Sequence, residues 1–262
     1  MPMKSVKEFL ATKEDRFFIS AAAPTGEGKS RFAMTAPPPI YYLSLETDGP
    51  TWALKNALKE GYLSESDIFL DECLETVWGD EPPMVRTPSE DGVLFEHVKE
   101  EIEEVLASNN SGTLVIDTTS ALWALVDEVE GEPIRRERRR QKKELYGFDY
   151  KYANKAFRQI IEGIRASRMN ACFVHHVEQV WGKDGPIKGK YRVVKNKRMS
   201  EWVDIEIMLH ADEVLSEEGN VEKIDRWGQI GKCRLGNELK GMVIDNPDWE
   251  TSITTIKGEL GL

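Results

Sequence analysis

The sequence predicts an α/β protein whose central sheet is mostly parallel, flanked by helices, with antiparallel strands added near the C-terminus. Three observations carry this. Short apolar runs alternate with longer amphipathic ones along roughly the first 180 residues, the pattern of helices covering a parallel sheet. A glycine-rich turn containing Lys29-Ser30 directly follows the first apolar run. Beyond Trp202 the apolar runs lie closer together and are separated by the Gly/Glu-rich turn Ser216–Asn220.

Each element has its own signal. Phe17–Ala22, Ile40–Leu45, Thr113–Ile116 and Ala171–His175 are short apolar runs that read as buried strands. Gly92–Ala107 places Val93, Phe95, Val98, Ile102 and Val105 at helical spacing with charges between them, and Tyr150–Arg168 follows the same rule. Val203–Leu209, Val221–Trp227 and Met242–Ile244 read as the added strands.

The chain has 262 residues, 40% hydrophobic and 31% charged, which suits a globular fold. No repeat or clean linker divides it, so one domain is expected over residues 1–262, with a short N-terminal extension at 1–16. Cys73, Cys172 and Cys233 lie far apart without C-x-x-C spacing. That speaks against a disulfide framework and against a Cys-ligated zinc site. Met1–Leu10 is interrupted by Lys4, Lys7 and Glu8, unlike a signal peptide, and no run is long enough to span a membrane. A soluble cytoplasmic chain without a membrane partner is expected.

Ala23-Pro24-Thr25-Gly26-Glu27-Gly28-Lys29-Ser30, followed by Arg31, matches the phosphate-loop pattern G-x-x-x-x-G-K-[ST] except that Ala23 replaces the first glycine. Gly26 and Gly28 let successive backbone N–H groups turn toward a phosphate, and the following helix adds partial positive charge. Lys29 is expected on the β- and γ-phosphates and the Ser30 hydroxyl on Mg²⁺. The apolar strand Thr113–Ile116 ends in Asp117, which becomes the second candidate for the metal shell. Ile40–Leu45 ends in Glu46, with Asp48 two residues on. A carboxylate there can polarise an attacking water if both strands finish on one sheet edge. The plainer alternative is a helix cap ahead of Pro50.

This order of phosphate loop, Glu46, Asp117 and a polar strand tip at His175-His176 resembles the RecA-type ATPase core shared by RecA/RadA recombinases and hexameric replicative helicases. Phe173–Val177 through Gly185-Pro186 to Trp202-Val203-Asp204 is similar to the RadA stretch from its sensor histidine through a Gly-Pro loop to a Val-Asp strand. Lys232-Cys233-Arg234-Leu235-Gly236 is similar to the K-x-R-x-G element that sends an arginine into the neighbouring subunit's site. In size and layout the chain is most similar to short, core-only RecA-like ATPases of phages, some of which anneal single strands. The resemblance covers about Phe17 to Pro247. It implies a RecA-like P-loop fold, ATP and Mg²⁺ as cofactors, Glu46 as catalytic base, and His176 or His175 as the γ-phosphate sensor. It also implies Arg234 with Lys232 acting in trans, and so a homo-oligomer, ring or filament.

Charge supports a nucleic-acid site despite the total. With 35 Lys+Arg against 46 Asp+Glu the net charge is −11, which by itself argues against such a partner. Yet Arg135 to Lys151 holds Arg135, Arg136, Arg138, Arg139, Arg140, Lys142, Lys143 and Lys151 against three acids. Lys183 to Arg198 holds Lys183, Lys188, Lys190, Arg192, Lys195, Lys197 and Arg198 against Asp184 alone. The two windows carry +11 and the rest of the chain −22. They follow the Asp117 and His175-His176 strands, where RecA-type proteins hang their DNA-binding loops. Tyr146, Phe148, Trp181 and Tyr191 are placed to stack on bases. The bland reading of Arg135–Lys143 is a solvated helical face.

The expectation is a phage-encoded, DNA-dependent ATPase that binds single-stranded DNA in recombination or annealing, with a single-strand binding protein as a further partner. Two alternatives stand beside it: an annealing protein that nucleotide merely organises, and a helicase or packaging motor subunit.

Overall fold

The computed structural model describes residues 16–47, 49–79, 83, 85–108, 111–182, 185–194, 199–216 and 221–261. In chain order the elements are β1 (Phe18–Ala23), α1 (Lys29–Ala33), β2 (Ile40–Ser44), α2 (Thr51–Glu60), β3 (Ile68–Glu72), α3 (Cys73–Trp78), α4 (Pro88–Ala107), β4 (Thr113–Asp117) and α5 (Thr119–Val126). Then come α6 (Glu132–Arg140), α7 (Lys151–Ala166), β5 (Asn170–Gly182), β6 (Gly185–Val193), α8 (Met199–Trp202), β7 (Ile205–Leu215), β8 (Val221–Cys233), β9 (Val243–Asp245) and α9 (Trp249–Leu260).

Eight strands follow the order β3-β2-β4-β5-β1-β7-β8-β9, and β6 pairs with β5 off that path. From β3 to β7 every pairing is parallel, while β8 runs antiparallel to both β7 and β9. The fold is therefore α/β with a mostly parallel sheet flanked by helices. None of the described helices is long and apolar enough to cross a membrane.

Strand alternation builds a core on each side. Ile19, Ala21, Val115, Cys172 and Val174 face one layer, with Phe32, Trp249 and Ile256 packed there. Phe18, Leu114, Ile116, Ala171 and Phe173 face the other, against Val98, Ile102, Phe157 and Ile161. Runs buried on both faces are what central parallel strands require. Helix α4 starts where the chain encodes it. The Thr87 side chain caps the helix N-terminus, Glu90 Oε2 accepts in return from Thr87 N at 2.6 Å, and Pro88 takes the first turn.

Two expectations change. The strand expected to stop at His175 continues to Gly182 and folds back as β6, because its polar outer half pairs with a second strand instead of packing in the core. The basic run Arg135–Arg140 lies on helix α6, preceded by a π-helical turn over Asp127–Gly131, and so is not a loop.

Phe157 is fully buried, edge-on to Trp123 at 5.3 Å and tilted against Trp202 at 5.7 Å. Its replacement by alanine removes a large buried side chain that joins α5, α7 and α8. Urea denaturation of Phe157→Ala is expected to show a loss of about 3–5 kcal/mol; a loss below about 1 kcal/mol would show that the layer collapses around the gap.

Candidate functional site

Parallel register places the chemistry on one sheet edge. Ser44 lies opposite Asp117, so the chain leaves β2 and β4 side by side, and Leu45 N donates to Asp117 O at 2.6 Å. Ala23, where β1 ends, pairs with His176 on β5. Three chain segments thus meet at the C-terminal ends of their strands, where parallel sheets open their binding crevice.

The loop after β1 turns through Gly26 at φ 87° and Gly28 at φ 97°, left-handed conformations that favour glycine. Thr25, Gly26 and Gly28 to Arg31 line a cleft of about 460 Å³, the size of small-molecule sites, whereas Glu27 turns toward His210. Lys29 is 7% exposed, and its Nζ donates to the carbonyls of Ala23 and Pro24, both at 3.0 Å. Burial lowers its pKa, with Asp117, Glu46 and Glu27 opposing through their charge. The helix that follows, α1, has only five residues.

Asp117 is nearly buried and accepts hydrogen bonds from the Ser30 hydroxyl at 2.9 Å and from the Tyr42 phenol. Burial raises its pKa, opposed by those two bonds. Ser30 and Asp117 thus bring two hard oxygen donors together at the cleft. That set fits Mg²⁺, which favours carboxylate and hydroxyl oxygen and keeps much of its water. The peptide between Asp117 and Thr118 is cis.

Glu46 completes the arrangement. Its Oε1 pairs with His176 Nε2 at 2.5 Å and accepts from Thr118 Oγ1 at 2.9 Å. Burial pushes its pKa up, but the His176 bond and charge, the Thr118 bond and Lys29 outweigh it, leaving the carboxyl below its ordinary range. Glu46 therefore stays ionised at neutral pH. It caps no helix: helix α2 begins after Pro50 without a side-chain cap.

The two histidines separate cleanly. His176 lines the cleft beside Glu46, whereas His175 is wholly buried with neither ring nitrogen partnered. Alternation along β5 points consecutive side chains to opposite faces. Asp48 lies outside the described residues.

Lys232 and Arg234 sit at the far end of the sheet. β8 runs antiparallel to β7, so its C-terminal end lies level, across β7, with the start of β1 rather than with the glycine-rich loop at the other end. Lys232 Nζ donates to Val203 O at 3.2 Å. Arg234 pairs with Asp204 at 3.5 Å and bonds the Glu201 carbonyl. Within one chain neither reaches the cleft. Arg226, earlier on the same strand, does: it lines the cleft, and its Nε is buried without a partner beside Gly28. No sequence pattern marks it, since an antiparallel strand crossing over the loop is invisible to motif spacing.

The first basic run is largely self-neutralised. Arg135 is 5% exposed, forked onto Asp127 at 2.7 and 2.9 Å and bonded to Glu132 at 3.0 Å. Arg136 pairs with Glu128 and Glu132, Arg139 with Glu132, Arg138 with Asp149 at 3.2 Å, and Arg140 with Glu137 at 3.9 Å. Counted from Asp127 to Lys151, eight bases face seven acids, a net of +1. Arg135 is a structural ion pair, unavailable to a phosphate in this arrangement. Lys142, Lys143 and Lys151 remain exposed.

In the second run, Lys183, Lys195, Lys197 and Arg198 lie outside the described residues. Lys188 and Lys190 fall on β6, where Arg192 pairs with Glu178 at 2.7 Å. Trp181, near the hairpin turn, is 73% exposed.

Burial holds His175 neutral, with its pKa lowered to about 3 and His176 adding to the shift. The folded-state value lies below the unfolded one, so the unfolded chain binds more protons between pH 6.5 and 3. Stability is full above pH 6.5 and falls as pH drops, by about 2 kcal/mol at pH 5. His175→Leu should flatten that part of the stability profile; an unchanged slope between pH 7 and 5 would assign the loss to other groups.

No protein-family model matches the chain, and no curated protein matches it either, so its functional reading rests on this geometry.

Proposed function

We propose that this chain is a RecA-type, Mg²⁺-dependent ATPase that acts on single-stranded DNA. The observation that carries the reading is the buried Lys29 ammonium beneath a loop of two left-handed glycines, beside the Ser30–Asp117 oxygen pair and the Glu46–His176 pair. A buried cation held by two carbonyls, and paired with no acid among the described residues, is poised to meet an anion. A carboxylate next to it supports hydrolysis over plain binding.

In this reading the loop N–H groups and Lys29 hold the β- and γ-phosphates, as phosphoryl transfer requires. Bound Mg²⁺, held by Ser30 and Asp117, would neutralise charge building on the phosphates. Oε1 of Glu46 is fixed by His176 and Thr118, and Oε2 has no partner among the described residues. That free oxygen orients water and takes its proton. His176 then links the γ-phosphate to β5, and through it to the β5–β6 hairpin that carries Trp181, Lys188, Lys190 and Arg192. The trans role of Lys232 and Arg234, and the oligomer it implies, belong to the same proposal, since their end of the sheet faces away from the chain's own cleft.

One observation favours the second reading, an annealing protein that nucleotide organises with little turnover. The lowered pKa of Glu46 makes it a weaker base. Glu46→Gln decides between them. Turnover should fall about 10²–10⁴-fold with ATP binding retained, and single-stranded DNA should stimulate the unmutated protein. Turnover near zero in both proteins, with annealing lost in Lys29→Ala, would establish the organising role instead.

The DNA arm makes a separate prediction. Binding to a labelled oligonucleotide should weaken about 10²–10³-fold between 50 and 200 mM salt if roughly five phosphates are contacted. Lys188→Ala with Lys190→Ala should reduce the salt slope by about 2, whereas Arg135→Ala should leave it unchanged. Equal slopes in all three proteins would remove the hairpin from the interface.

A further inference from the structure

A second cluster of chemically active side chains lies two strands away from Asp117, at the sheet edge. Asp71 is near the end of β3, Cys73 opens α3, and His97 lies mid-way along α4. His97 Nε2 is 2.8 Å from Asp71 Oδ2, and Cys73 Sγ is 3.4 Å from the same oxygen. One ligand atom from each residue lies within 4.8 Å of the other two. Cys73 is fully buried, and the side chains of Asp71 and His97 are only 14% and 18% exposed.

We propose that Asp71, Cys73 and His97 bind a zinc-class divalent cation through carboxylate, thiolate and imidazole, with the fourth position open to water. The geometry suits that ion. Zinc holds oxygen and nitrogen at about 2.0–2.2 Å and sulfur at about 2.3 Å, so tetrahedral ligands stand roughly 3.3–3.7 Å from one another. The Cys73–Asp71 separation already falls in that range, and His97–Asp71 needs to open by well under 1 Å.

The donor types select the metal. A thiolate and an imidazole with one carboxylate suit Zn²⁺ or Co²⁺, not the hard ions Mg²⁺ and Ca²⁺. Local charge also asks for a cation. Glu101, one helical turn after His97, has its pKa raised by burial and then by the charge of Asp71. Among the described residues the only ion-pair partner of Asp71 is His97. Burial and the neighbouring carboxylate hold the Cys73 thiol protonated, so metal binding transfers its proton to solvent as the Sγ–metal bond forms.

A route exists as well: His97 lines a surface groove with Thr76, Val77, Val93 and Glu96. The absence of C-x-x-C spacing excludes only sites made from paired cysteines. Here one cysteine is completed by a histidine 24 positions later, brought close by helix α4 packing on α3. A bound ion would pin edge strand β3 and helix α3 to α4, independently of any nucleotide.

The test uses the full chain, stripped with chelator and titrated with Co²⁺ under reducing conditions. One equivalent of Co²⁺ should bind with a thiolate-to-cobalt charge-transfer band, and Zn²⁺ should displace it. Cys73→Ser should abolish the band while Cys172 and Cys233 remain in place, and His97→Gln should weaken binding at least tenfold with the band retained at saturation. Circular dichroism checks that each variant folds; if Cys73→Ser does not, His97→Gln carries the test alone. No charge-transfer band in the unmutated chain, or an affinity unchanged by His97→Gln, would overturn the proposal and leave a hydrogen-bond network around Asp71.

Discussion

The Asp117 carboxylate is the constraint around which the site is organised. It is nearly removed from water, and it accepts the Ser30 hydroxyl from the start of α1 and the Tyr42 phenol from β2, while its backbone carbonyl receives Leu45 N. A buried carboxylate without such donors is costly, so these bonds decide where the loop and β2 can sit. They also fix where β2 releases its chain, and therefore where Glu46 stands. Thr118, the next residue, caps α5 and at the same time bonds Glu46. One strand end thus positions three others, and the cleft follows from parallel register rather than from any single motif.

How much of this was legible depended on whether the signal was local. The four central strands were readable because a strand buried on both faces is nearly continuous in apolar residues, and the turn after β1 because left-handed positions such as Gly26 and Gly28 favour glycine. Glu46 and Asp117 were readable as strand-end residues, since parallel strands end on one edge, whereas His176 lies mid-strand in β5 and reaches the cleft because it pairs level with the end of β1. Strand β3 was missed because it is a short edge strand that ends in the acids Asp71 and Glu72 and leaves Phe69 and Leu70 exposed. Arg226 and the Asp71–Cys73–His97 cluster were missed for a different reason. Their partners are distant in the chain and meet only through an antiparallel crossing or a helix packed on its neighbour, which spacing does not encode.

Charge counting failed in an instructive way. A window opened at Arg135 showed a strongly basic segment, because its boundary fell just after Asp127, Glu128, Glu130 and Glu132. A helix and the π-helical turn before it bring residues three, four and eight positions apart onto one face, so those acids lie against the arginines. Exposed pairs such as Arg140–Glu137 contribute little to stability. Arg135, buried against Asp127 and with its guanidinium over the Tyr150 ring at 4.6 Å, joins α6 to the preceding turn and to α7's approach. Net charge per window is meaningful only once the window contains the partners that the backbone supplies.

The second basic segment meets the same objection at Arg192, which pairs with Glu178 outside the window, and its described strand bears on how the two ends of the molecule communicate. Strand β5 is continuous from the core at Ala171, past His176 at Glu46, to the exposed hairpin tip at Gly182. Its return strand β6 brings Tyr191 against His210, which stacks on Trp227 at 3.9 Å and lies 3.8 Å from Glu27 in the glycine-rich loop after β1. The hairpin therefore touches the cleft by two routes, one through His176 and one through His210 and Glu27. A ligand shifts such an arrangement only by binding one state better than another. If phosphates occupy the loop as proposed, Glu27 and Glu46 are the residues whose surroundings change first, and both are wired to the same hairpin. Coupling between nucleotide and strand binding then needs no contact between the two ligands, only two arrangements of β5 and β6 that differ in how they hold these carboxylates.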